Sequence, residues 1–154
     1  MPWPRNRVGL VVTPPMPRQN LDLLRAPFAD WERGDFFANA EWAHPEIECV
    51  MADGPTPGAG SGLAGLASVF REVIAPFDDF RVNVEEYREI DRRRVPALVK
   101  FSGRGKTSGL EIGRVDTNNA CLLDIDGGAV TRLALYWDRE RLFADLGLGP
   151  VADQ

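Results

Sequence analysis

At Pro76 the hydrophobic period of this chain changes, and that change limits its architecture more than any single motif. Before it, apolar residues recur at helical spacing, first Leu21, Leu24, Phe28 and Trp31, then Leu63, Leu66, Phe70 and Val73. After it, Phe80, Val82 and Val84 alternate with Arg81, Asn83 and Glu85, the period of a half-buried strand. Residues 95–104, 110–125 and 130–136 continue as long strands joined by glycine-rich turns, and strands joined by short turns pair antiparallel. Helices first and a long antiparallel sheet afterwards imply an α+β fold.

The 154 residues suffice for one domain that buries roughly two-thirds of its unfolded surface. Residues 1–18 hold five prolines and three arginines and read as a flexible arm outside the core. The domain then spans residues 19–148, and residues 149–154 form a tail. A first helix is expected over residues 20–33, kinked by Pro27 and stopped by Gly34. A second, short helix is expected over 36–43, ending before His44-Pro45. A short strand over 47–51 and a Gly/Pro-rich loop follow, then a helix capped by Ser61. A last helix opens at Asp138 and ends at Gly147.

A net charge of -5 argues against nucleic acid or an anionic membrane as partner, since either repels an acidic chain. The run Leu10-Val11-Val12 is too short for a signal-peptide core or a membrane span. Cys49 and Cys121 sit in apolar runs and read as buried free thiols in a reducing cytoplasm.

Several motifs have plain structural readings. Gly60-Ser61-Gly62-Leu63-Ala64-Gly65 matches a dinucleotide fingerprint, but no strand leads directly into it. Gly105-Lys106-Thr107 lacks the leading glycine of a phosphate loop and reads as a turn. His44, the only histidine, reads as a loop residue, and Arg92-Arg93-Arg94 as a solvated hairpin turn beside Asp91. Asp138 reads as a helix cap. The strand over 110–125 stands out because Arg114, Asp116, Asn118, Ala120 and Leu122 share one face, opposite Val115, Thr117, Asn119, Cys121 and Leu123. Alternation alone leaves a solvent-exposed rim and a functional site both open.

Taken in order, Trp31-Glu32-Arg33-Gly34-Asp35-Phe36, His44-Pro45-Glu46-Ile47-Glu48, Phe80-Arg81-Val82, and Val130-Thr131-Arg132-Leu133 running into Tyr136-Trp137-Asp138 resemble the SnoaL-like, nuclear-transport-factor-2-like superfamily. The resemblance covers about residues 20–148. It implies a cone, a strongly curved antiparallel sheet with helices packed in its concave face, paired into homodimers through the sheet. Relatives include ketosteroid isomerases, polyketide cyclases and limonene epoxide hydrolases.

An ungapped match to the isomerases puts their general-base aspartate at Met51, and their two oxyanion donors at Pro27 and Ala120. None of these can move a proton, so the isomerase chemistry does not carry over. The same match places Trp137, with Leu133 and Leu135, on the pocket wall and turns Asp116 and Asn118 inward. The resulting expectation is a cofactor-free enzyme of cyclase, isomerase or hydrolase type with no metal, acting on a small hydrophobic molecule. Asp116 is its acid or base, between apolar walls such as Trp31 and Trp137. Asn118 donates to an oxyanion, Arg114 holds the substrate, and Asp53 is the next carboxylate in line. The alternative is a non-catalytic ligand-binding or subunit protein on the same scaffold.

Overall fold

The computed structural model describes residues 11–12, 18–37, 39–54, 57–88, 90–91, 93–112 and 118–147. Helix α1 (Arg18–Glu32) buries Leu24, Phe28 and Trp31 on one face and carries the buried Pro27 within it. Gly34 takes a φ of 83°, and its N–H bonds to the Trp31 carbonyl at 3.0 Å. The expected helix over 36–43 does not form among the described residues. Asn39 Oδ1 accepts from the Glu41 N–H at 2.8 Å, and Asp35 Oδ1 accepts from the Phe37 N–H at 3.4 Å. Such local bonds offer the backbone an alternative to a helix. Ala43 instead opens β2 (Ala43–Met51), in which His44 Nδ1 accepts from the Glu46 N–H at 2.9 Å.

Strand β3 (Gly58–Ser61) pairs with β2 and leads into α2 (Gly62–Ile74). Ser61 holds the N-cap position, yet its side chain makes no capping bond, contrary to expectation. The buried face of α2 is Leu66, Val69, Phe70 and Val73, while Leu63 is exposed. A Cβ on Gly60 would stand 2.6 Å from the Gly65 carbonyl oxygen. The glycine-rich motif is therefore a close contact between strand and helix.

The remaining elements are β4 (Phe77–Tyr87), β5 (Arg94–Gly105), β6 (Glu111–Ile112), β7 (Asn119–Asp126), β8 (Ala129–Tyr136) and α3 (Arg139–Asp145). Within the arm, β1 (Val11–Val12) pairs parallel with Glu86 and Tyr87, so this part joins the sheet edge. The path runs β1-β4-β5-β7-β8-β2-β3, with β6 on β5. Its ends do not meet, so the sheet is open. Because β2 pairs parallel with β8, the sheet is mixed where an all-antiparallel one is expected. The polypeptide between β2 and β8 is long enough for such a crossover, whereas β5 follows β4 and β8 follows β7 through short connections. Register shifts within β4, within β2 and between β7 and β8 strengthen the twist that bends the sheet.

The inner face packs against α1 and α2. It gathers Ile47, Cys49, Met51, Phe80, Val82, Val99, Phe101, Cys121, Leu123, Leu133 and Leu135 into one core. On the other face, Leu142 and Phe143 of α3 cover Leu98, Ala120, Leu122, Ala134 and Tyr136. Asp138 caps α3 as expected, accepting from the Glu140 N–H at 3.0 Å.

Candidate functional site

At the end of β8 the chain must leave the sheet and start a helix within two residues, and three side chains hold that corner. Asp53 reaches from beyond β2. Its Oδ1 accepts from the Trp137 N–H at 2.6 Å, and its Oδ2 from the Asp138 N–H at 3.2 Å. Asn119 lies on the inner face and is the one polar residue among the fully buried described residues. Its Oδ1 accepts from the Phe101 N–H at 2.8 Å, and its Nδ2 donates to the Trp137 carbonyl at 2.7 Å. From the start of α3, Arg139 donates to the carbonyls of Asn119 and Val99 and pairs with Glu85 at 3.2 Å. These contacts fix the backbone of Trp137 on both sides.

The indole so placed closes an aromatic array. It meets Phe101 edge-on at 4.9 Å and lies 5.9 Å from Phe77 and 6.4 Å from Phe80. Phe80 continues to Phe36 at 5.8 Å, and Phe36 to Trp31 at 6.3 Å. Trp31 also meets Trp42 and Phe70, at 5.5 and 5.3 Å. Trp137 Nε1 is buried and has no hydrogen-bond partner among the described residues. Gly54 lies against that edge of the ring, where a Cβ would come within 2.0 Å of Cδ1 and 2.4 Å of Nε1.

The candidate residues distribute unevenly over this geometry. Trp31, Met51, Leu133 and Leu135 are all buried on the inner face. Ala120, expected on the same wall, pairs with Tyr136 and lies under α3 on the opposite face. Its neighbours Asn119 and Cys121 point inward, and a single residue step reverses the face in a strand. Asn118 sits just before β7, exposed, with its carbonyl accepting from the Arg139 N–H at 2.8 Å. Asp53 is a backbone anchor, with both carboxylate oxygens engaged. Arg114 and Asp116 lie outside the described residues. The contributors outside the expected set include Asn119, Arg139, Phe77, Phe80 and Phe101. Asn119 carried a legible signal, a polar residue in phase with Cys121 and Leu123 on an otherwise apolar face.

Both cysteines are buried, and burial pushes the Cys49 thiol up to about 12 and raises that of Cys121 as well. Among the described residues, no three His, Cys, Asp or Glu side chains are grouped to hold a metal. No described helix is long and apolar enough to cross a membrane.

A second polar region lies on the outer face. Arg94 stands opposite Asp124, Asp124 opposite Arg132, and Arg132 opposite Glu48 across four neighbouring strands. With Asp91 and Arg93, Arg94 and Asp124 line an open depression of about 630 Å³. Burial raises the Asp124 carboxyl above its ordinary value, against the pull of Arg132, Arg94 and Arg93. Backbone N–H bonds from Arg93 and Arg94 lower that of Asp91.

No family model matches the chain, and no curated protein matches it. Solved structures do. One is a nuclear-transport-factor-2-like protein of unknown function from Burkholderia pseudomallei K96243, 15% identical, with a TM-score of 0.66 over 83% of this chain and 97% of that one. TerC, co-crystallised with polyporic acid, is 20% identical, with a TM-score of 0.65 over the same shares, 83% and 97%. A SnoaL-like candidate polyketide cyclase from Jannaschia sp. CCS1 is 17% identical, with a TM-score of 0.62 over 90% of this chain and 98% of that one. The chain has the nuclear-transport-factor-2-like, SnoaL-like α+β fold.

Proposed function

We propose that this protein binds a small, largely apolar organic molecule against the aromatic rings at the Trp137 end of the inner face. The observation that carries the reading is the treatment of Trp137. Its backbone is held by Asp53 and Asn119, while its indole faces Phe77, Phe80 and Phe101 with a buried N–H left unpaired. Pockets for small molecules combine apolar walls with a few placed polar groups in this way. The similarity to a structure holding polyporic acid and to a candidate polyketide cyclase supports a ring-containing ligand.

Any chemistry on that ligand is cofactor-free acid/base chemistry of cyclase, isomerase or hydrolase type. Asp116 moves the proton and Arg114 holds the substrate. A thermal-shift screen of aromatic and steroid-like compounds identifies ligands, because binding to the native state raises the melting point. With a turned-over ligand in hand, Asp116→Asn lowers turnover by about 100- to 10,000-fold and leaves affinity near wild type. Normal turnover by Asp116→Asn overturns the assignment. The engagement of Asp53 and Asn119 with backbone favours a second reading, a binding protein without chemistry. Under that reading, ligands raise the melting point and emerge unchanged.

The working unit is a homodimer in a reducing compartment, formed through the outer face. Since α3 covers the apolar half of that face, the charged row from Glu48 to Arg94 is the half left to pair. A two-fold axis there sets Arg132 of one copy against acidic side chains of the other. Sedimentation at micromolar concentration reads twice the chain mass, and a monomer refutes the arrangement.

A further inference from the structure

We infer that Trp137 Nε1 is the hydrogen-bond donor of this site, and that its ligand is a neutral, apolar ring compound whose carbonyl oxygen accepts from it. The inference rests on the pocket reading above and adds the chemical class of what the pocket takes.

Its starting point is a buried donor without an acceptor. Native proteins leave few such groups, and each needs a reason, because the lost bond to water is not replaced. A phenylalanine at this corner would provide the same aromatic wall without an unpaired N–H. Among the described residues, the polar groups that hold the Trp137 backbone are engaged elsewhere and do not accept from the indole. Both oxygens of Asp53 are engaged by the N–H groups of Trp137 and Asp138, and Asn119 Oδ1 is engaged by Phe101. The described aromatic rings around the indole are Phe77, Phe80 and Phe101. An acceptor atom brought by a ligand completes the donor.

The same neighbours define the ligand. Three phenyl rings favour an apolar, ring-containing body. These rings offer no cation to pair with an anionic acceptor such as a carboxylate, whereas a neutral carbonyl needs none. Gly54 is the residue at the donor's edge, and any side chain there would collide with Cδ1 and Nε1. That edge thus tolerates no side chain at position 54.

The experiment compares two probes with one carbon skeleton, 1-tetralone and tetralin, in titrations followed by the indole N–H resonances of ¹⁵N-labelled protein. The chain has four tryptophans, and Trp137→Phe assigns the resonance. The ketone should move the Trp137 N–H downfield, whereas tetralin binds without that shift. The ketone should also bind about tenfold tighter than tetralin, the size of one net hydrogen bond, and Trp137→Phe should erase that preference. Equal responses to both probes overturn the inference and leave the pocket standing, as does a preference that survives Trp137→Phe. If neither probe shifts an indole resonance or the melting point, the pocket reading fails and takes the inference with it. Should Trp137→Phe not fold, selective ¹⁵N labelling with assignment through backbone neighbours lets the wild-type titration decide alone.

Discussion

Among the described residues, two buried side-chain polar atoms lack a hydrogen-bond partner, Trp137 Nε1 and Asp124 Oδ1, and their surroundings differ completely. Asp124 lies on the outer face, where burial raises its carboxyl and Arg132, Arg94 and Arg93 offset only part of that burial. Trp137 lies among phenyl rings, where no field replaces the missing acceptor. A carboxylate oxygen without a bond can take up a proton or be drawn to neighbouring arginines. A neutral donor buried in an aromatic array has only a hydrogen bond to satisfy it, and that difference directs attention to the Trp137 end.

The largest expected effect breaks that end. Asn119→Leu keeps the volume but strands the Phe101 N–H and the Trp137 carbonyl, at a cost of about 3 kcal/mol in chemical denaturation. A loss under about 1 kcal/mol would mean that the corner is not held as described. Next comes Gly54→Ala, which places a methyl group against the indole at a position with a φ of 83°. Overpacking of this kind costs about 2 kcal/mol and should weaken ligand binding along with stability. The smallest effect belongs to the other region. Burial raises the Asp124 carboxyl in the folded state, so the native form holds its proton more tightly than the unfolded chain. Stability contributed by that proton is present at acid pH and lost as pH rises from the unfolded value through the raised native one. Asp124→Asn should flatten this part of the stability profile and leave neutral-pH stability unchanged or slightly higher. A steep loss at neutral pH would show that the carboxylate is a structural anchor after all.

The α+β plan was legible because period is a backbone property. Phe80 and Val82 alternate with solvent-facing residues whatever their partners, and Leu24, Phe28 and Trp31 mark one side of a helix. The expected helix over 36–43 failed for a reason that period does not carry, since the side chains of Asp35 and Asn39 bond to nearby backbone. The parallel pairing of β2 with β8 depends on a long-range crossover that no local pattern announces. Leu133 and Leu135 follow from alternation and Met51 from the ungapped match, and all three lie on the inner face. Ala120 does not, because the same match carried the neighbouring phase onto a strand whose inward residues are Asn119, Cys121 and Leu123. Asp53 reads from sequence as a candidate acid, and only the fold brings it 84 positions along the chain to the Trp137 N–H.

The most direct measurement is a crystal structure of the protein with a ring-containing ketone taken from the thermal-shift screen. The account predicts the ligand in contact with Phe77, Phe80, Phe101 and Trp137, its carbonyl oxygen within hydrogen-bond distance of Trp137 Nε1. A ligand seated instead in the outer depression beside Asp91, Arg94 and Asp124, with the indole N–H still unpaired, would contradict it.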